Sequence, residues 1–372
     1  MIVLLLFVFI VFGSYLVHMY HYQKHWMKNF DVSLEFSEEQ AREGEQLFLY
    51  ETVSNNKKMC IPSVCVKFQT SKFLQFEDET SGIVSDYFYR NDVMSVDGFQ
   101  KVRRKLRFTC KKRGLYTIEG AELVSYDLLY TQTFVHKKAV HASLCVYPSL
   151  VDIRKFLPAF QQTLGTLATN VPLFEDPYAF VGVREYTPQD SMRRIHWKTS
   201  ARTGHWQVKT TEYSASTPVV LVLNLESPGV FVDTDLMEDS IRLAHSFVTY
   251  FCKNGVATRL VTAGDERMQM EGGGQFHLQA ARRALAVISY AHVCCDGISL
   301  LNDEVHWDKN AHIILISAAG KEPMQEKVAE LLSKGYSISW IAPVVSSDGR
   351  DNEFRNLLPS IQRILVKWGG GS

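Results

Sequence analysis

Between Gly182 and Gly204 the chain concentrates the side chains best suited to chemistry: Arg184, Glu185, Tyr186, Asp190, Arg193, His196, Trp197, Lys198 and Arg202, with Ile195 and Ala201 between them. A histidine near acids suits general acid and base work, and arginine forks suit bidentate pairing with carboxylates. The sequence supplies no nucleophile elbow, phosphate loop or zinc pair to complete a mechanism. The expected role is therefore structural or partner-binding, and no catalysis is expected. In that arrangement Arg184, Arg193 and Arg202 pair with Asp190 and Glu185 around a packed Trp197 and fix a joint between two domains. An enzyme of uncharacterised type using His196 and Asp190 stays open as an alternative.

Three kinds of element must position this stretch. Residues 30–147 carry short alternating segments rich in Val, Phe, Tyr and Thr: 31–36, 46–53, 64–69, 101–109, 115–118 and 142–147. That spacing predicts an antiparallel β-sandwich. Residues 148–217 form a connector of irregular period that contains the cluster. From 218 to 368 strand and helix patterns alternate, with apolar strands at 218–225, 256–263, 312–317, 336–342 and 361–368. Helical spacing covers 235–254, 276–292 and the segment from Pro323 to Gly335, with a short helix at 352–358. Strands separated by helices imply parallel crossovers and a sheet covered on both faces. The run Gly272-Gly273-Gly274 lacks the spacing of a dinucleotide site and reads as a loop.

The first 23 residues contain no Asp, Glu, Lys or Arg, and Ile2 to Phe12 is unbroken apolar sequence. This reads as a transmembrane anchor of residues 1–23, with Tyr20, Tyr22 and Trp26 as interfacial rings. Lys24 and Lys28 follow the span, which predicts a single-pass protein of the cell membrane with its folded part in the cytoplasm. The seven cysteines are an odd number set mostly in hydrophobic runs, as in a reducing compartment, and adjacent Cys294 and Cys295 read as helix-end packing. Forty basic and 40 acidic residues balance, which removes the cationic excess a nucleic-acid partner needs. Twenty-two Phe, 16 Tyr and six Trp exclude a disordered chain.

The run from Gly182 through Arg184, Tyr186, Pro188, Asp190, Arg193, Ile195, Trp197, Ala201 and Arg202 resembles the signature of the domain of unknown function 58 family. Gln189 stands where the family has Gly. Arg113-Gly114-Leu115-Tyr116, Tyr126-Asp127-Leu128-Leu129 and Tyr147-Pro148 are similar to further landmarks of that family, in the same order. The resemblance implies an α+β multidomain protein: an N-terminal transmembrane helix, an Ig-like antiparallel β-sandwich, then a von Willebrand A-like α/β domain with a mainly parallel, doubly covered sheet. It also implies partners, namely a MoxR-type AAA+ ATPase and a transglutaminase-like membrane protein. The interaction residues it implies are Arg184, Tyr186, Asp190, Arg193, Ile195, Trp197, Ala201 and Arg202.

A von Willebrand A-type domain can hold Mg²⁺ in a D-x-S-x-S loop after its first strand. The matching positions read Asn224-Leu225-Glu226-Ser227-Pro228, so an amide replaces the first carboxylate and Pro the last hydroxyl. Asn224, Glu226 and Ser227 are thus expected to form a degenerate metal loop, with no cofactor. The rim at the carboxyl ends of the strands, comprising 224–229, Gly264-Asp265-Glu266 and the loop after Ser317, is expected to dock a partner. The expected function is a membrane-anchored, non-enzymatic scaffold working with a MoxR-type ATPase. An outward-facing, adhesin-like ligand-binding protein is the rival reading.

Overall fold

The computed structural model describes residues 2–77, 82–84, 87–127, 130–153, 182–186, 192, 195–210, 219–227, 233–302, 311–345 and 363–368. The expected short helix at 352–358 lies outside them. The chain divides into two compact units, one of residues 1–149 with 282–287, the other of 150–281 with 288–372.

The first unit starts with α1 (Ile2–His25) and continues in strands: β1 (Phe30–Phe36), β2 (Gln40–Arg42), β3 (Gln46–Asn55), β4 (Ile61–Ser71), β5 (Leu74–Phe76), β6 (Gly82–Val84), β7 (Tyr87–Val96), β8 (Lys101–Cys110), β9 (Gly114–Tyr126) and β10 (Thr133–Tyr147). One sheet has the order β1-β3-β8-β5, the other β2-β10-β9-β4-β7-β6. All pairings are antiparallel except β2 with β10, which run parallel and depart from the expected pattern. Alternation builds the core: in β3 every second side chain is buried, Leu47, Leu49 and Val53 among them. They meet Phe108, Leu123 and Leu144 in one cluster. Each such side chain contributes about 1.5–3 kcal/mol on leaving water.

Two of the landmark positions have structural work within this unit. Arg113 is buried and its Nη1 donates to the carbonyls of Leu285 and Ala286, both at 2.9 Å, satisfying acceptors that a helix end leaves unpaired. Asp127 accepts from the backbone of Thr131 and Gln132 and from the Thr131 hydroxyl. Burial works against its charge, yet these hydrogen bonds hold its carboxyl below the ordinary value.

The expected membrane anchor is corrected here. Among the described residues no helix is long and apolar enough to cross a membrane. In α1 the apolar run whose side chains are described, 6–12, ends at Gly13 and Ser14, and polar or amphipathic residues dominate the last turns. Tyr22 and Trp26, expected as interfacial rings, are buried in the sandwich core instead. The Tyr22 hydroxyl bonds the Ser125 hydroxyl at 2.7 Å, and its ring lies 5.5 Å from that of Phe134. Lys57 donates to the carbonyls of Trp26 and Lys28 and fixes the end of the helix. The single-pass location at the cell membrane falls with the anchor.

The second unit contains β11 (Gly182–Glu185), α2 (Trp197–Thr203), β12 (Gln207–Thr210), β13 (Val219–Asn224), α3 (Thr234–Lys253), β14 (Thr258–Ala263), β15 (Arg267–Gly272), the first part of α4 (Gly274–Val287), whose residues 282–287 belong to the first unit, α5 (Gly297–Leu301), β16 (His312–Ser317), α6 (Glu322–Ser333), β17 (Ser337–Val345) and β18 (Arg363–Trp368). Its large sheet has the order β15-β14-β13-β16-β17-β18. The expected von Willebrand A-like sheet is corrected at this edge. Residues 267–272, for which the pattern predicts no strand, form β15, which turns back antiparallel on β14, while the other pairs run parallel. Every residue of β13 and β16 is buried. Val220, Val222, Ile313 and Leu315 pack with Leu300 and Leu301 of α5 and with Met324 and Val328 of α6. Their alternates, Leu221, Leu223, Ile314 and Ile316, are also buried, and α3 packs against the sheet with Ile241, Ala244, Phe247 and Val248. Asp233 caps α3, its carboxylate accepting from Leu236 N at 3.2 Å.

Candidate functional site

The signature folds as a small module. β11 and β12 pair antiparallel from Gly182 with Thr210 to Glu185 with Gln207. Buried Ile195 bridges to buried Val208 and forms the apolar anchor. His196 is the N-cap of α2: its Nδ1 accepts from Thr199 N at 3.1 Å and lies 2.8 Å from the Thr199 hydroxyl. That acceptor role places the ring proton of a neutral His196 on Nε2. Gly204 ends the helix at φ +74°, a conformation open to glycine, and its N–H donates to Ser200 O. Ser200 is buried and its hydroxyl accepts from Gln207 N at 2.9 Å, tying α2 to β12.

With Ser200 facing inward, the opposite side of this short helix faces water. Trp197 is 67% exposed, which corrects the expected packed tryptophan, and Lys198, Ala201 and Arg202 are exposed beside it. The aromatic packing expected of Trp197 is made by Trp206, whose ring meets Tyr186 edge-on at 5.3 Å while remaining 50% exposed. Sequence reading missed Trp206, although an aromatic between a helix-ending Gly204-His205 and an alternating strand was a usable signal. Asp190, Arg193 and the side chain of Arg184 lie outside the described residues, so of the expected ion-paired joint only Glu185 and Arg202 are seen, both exposed.

The second locus lies where β13 ends. From β13 the chain goes to β14 on one side and returns to β16 on the other, so the connections diverge and open a crevice at the carboxyl ends of these strands. Buried Asn224 spans it, its Nδ2 donating to Ser317 Oγ at 3.0 Å and its Oδ1 accepting from Glu226 N at 3.0 Å. Glu226 carries one oxygen to the Lys321 ammonium at 2.6 Å and the other toward Gly297 N at 3.4 Å. Asp296, the N-cap of α5, sits beside them. Hydrogen bonds from Ser299 hold its carboxyl below the ordinary value; burial opposes this, and the Lys321 charge adds to it.

The loop expected as a degenerate metal site therefore contains its own cation. A divalent ion at Glu226 would have to displace Lys321, and Asn224 has both ends of its amide engaged. Ser227 is half-buried beside them, and Pro228 lies outside the described residues. Among the described residues no group of three His, Cys, Asp or Glu side chains is placed to hold a metal. Titration calorimetry with Mg²⁺ is expected to show no sub-millimolar binding; such binding, abolished by Glu226→Ala, would refute this account.

No curated protein matches the chain. Among solved structures, it is similar to a CARDB domain from Pyrococcus furiosus at 13% identity, over 32% of this chain and 90% of that one, with a TM-score of 0.22. A non-cellulosomal cohesin from Archaeoglobus fulgidus matches at 11% identity, over 34% and 96%, with a TM-score of 0.22. A PapD-like domain of human CEP192 matches at 13% identity, over 32% and 86%, with a TM-score of 0.20. The family match carries no von Willebrand A-like or MoxR-associated description. Residues 182–310 match the family described as "Protein of unknown function DUF58", a stretch that holds the signature module, Glu226 and the loop through Gly297.

Proposed function

We propose that this chain is a non-enzymatic interaction protein whose partner docks on the exposed face of α2. The observation that supports this reading is the pair of exposed tryptophans, Trp197 and Trp206, ringed by exposed Lys198, Arg202 and His205. Tryptophan and arginine dominate the energetic centres of protein interfaces, and a cationic rim selects an acidic partner surface. His196 is occupied in capping α2, which supports a positioning role for it over a catalytic one. By the resemblance of the signature, the partner is a MoxR-type AAA+ ATPase, acting with a transglutaminase-like membrane protein.

The test is co-purification of the full chain with its associated proteins, followed by titration of the purified ATPase. Trp197→Ala is expected to weaken binding by about 2 kcal/mol, or roughly 30-fold, while leaving the thermal transition unchanged because the ring is exposed. Undiminished affinity in that variant, or absence of any ATPase among the captured proteins, would sink the proposal.

A further inference from the structure

Adjacent cysteines in extended chain point to opposite sides. In the loop between α4 and α5 the backbone bends, and the Sγ atoms of Cys294 and Cys295 lie 3.9 Å apart. Cys294 is exposed and Cys295 half-buried, so one thiol is open to solvent and the other waits behind it. The loop is held on both sides: Cys294 N donates to Gly264 O at 2.8 Å, and Asp296 caps α5 through Ser299 N at 3.0 Å. This differs from the helix-end packing expected of the pair, since α4 stops at Val287 and neither cysteine lies in a helix.

We propose that Cys294 and Cys295 are an oxidation site, a vicinal dithiol that a peroxide converts to a disulfide. Disulfide formation requires the sulfurs to close to about 2.05 Å, a movement of side chains and one peptide unit. Cys294, the exposed thiol, loses its proton and attacks one peroxide oxygen; the S–O bond forms, the O–O bond breaks, and the released hydroxide takes up a proton as water. Cys295 then attacks the sulfur of the Cys294 sulfenic acid, the S–S bond forms, the S–O bond breaks, and a second water leaves with the Cys295 proton. Two thiols are oxidised and one peroxide is reduced to two waters. Burial, followed by the neighbouring Cys294, pushes the Cys295 thiol up, against the opposing charge of Arg267, which assigns the first attack to Cys294.

The full chain, reduced and then treated with hydrogen peroxide, is alkylated and digested. The peptide holding both cysteines is expected to lose the mass of two hydrogens and both alkylation sites, and to recover them with dithiothreitol. In Cys295→Ser the resolving thiol is gone, and dimedone is expected to label Cys294. Sulfinic or sulfonic acid in place of the disulfide, a cross-link from either cysteine to another part of the chain, or no dimedone on Cys294 would each overturn the proposal.

Discussion

Lowering the pH from 7 to 4 is expected to remove about 3 kcal/mol of stability from the second unit through one side chain, His312. His312 opens β16, buried within the sheet, with Nδ1 2.8 Å from the Ser337 hydroxyl and Nε2 3.1 Å from that of Ser339. Burial lowers its pKa to about 4 from an ordinary 6.5. Between those values the unfolded chain takes a proton that the folded chain refuses. Stability therefore falls as pH drops below about 6.5, and the loss is complete near 4. The geometry agrees: a neutral ring offers one donor and one acceptor to two hydroxyls, whereas the cation is a donor at both nitrogens and would force one serine to reverse. Hydrogen exchange of the β16 amides across this pH range reads the effect locally. In His312→Gln the drop is expected to shrink to the smaller contributions of His277, whose pKa burial also lowers, and of Asp296 and Glu330, whose hydrogen-bonded carboxyls begin to lose their stabilisation as the pH nears 4. An equal drop in native and variant chains would refute the assignment.

Gly297→Ala is expected to destabilise the same unit by about 3 kcal/mol, combining overpacking with lost buried hydrogen bonds. A Cβ there would stand 2.1 Å from Met324 Cε and 2.5 Å from Asn224 Nδ2. The methionine end can swing aside. Asn224 cannot, because Ser317 Oγ and Glu226 N hold both ends of its amide. Moving it opens the join between β13 and β16, and Ser317 also accepts, through its carbonyl, from Trp340 Nε1 at 3.2 Å. Gly273→Ala is the control: its Cβ would meet only Ala257 Cα, at 3.7 Å, an ordinary contact. Urea denaturation of both variants decides the matter, and equal midpoints would show that the crevice yields.

Much of the strand and helix pattern was legible because burial has a period. The apolar run expected at 312–317 is β16, and the helix expected at 235–254 is α3 within a residue at each end. β15 was not legible, since its burial alternates only between exposed and intermediate and three glycines follow from its end. The short β2 and β5 are three residues each, too short to show a period. For the candidate site, the concentration of Arg, Trp, Tyr and acidic residues at 182–204 was readable from residue types. Which tryptophan would be packed was not, because that depends on the direction in which a seven-residue helix turns its inner face.

By itself the sequence determined the local rules: where apolar side chains alternate by two or by about four, and where Gly255 and Gly335 follow helix ends. The tertiary structure decided what depends on distant partners. Tyr22 and Trp26 looked like the edge of a membrane span because an apolar run is read without knowing what surface is available to cover it; Ser125 and Phe134, a hundred residues away in the chain, supply that surface. Glu226 likewise looked like a leftover metal ligand until the fold brought Lys321 to it across the crevice. Charge and hydropathy are properties of residues, but the partner that neutralises or buries them is a property of the fold.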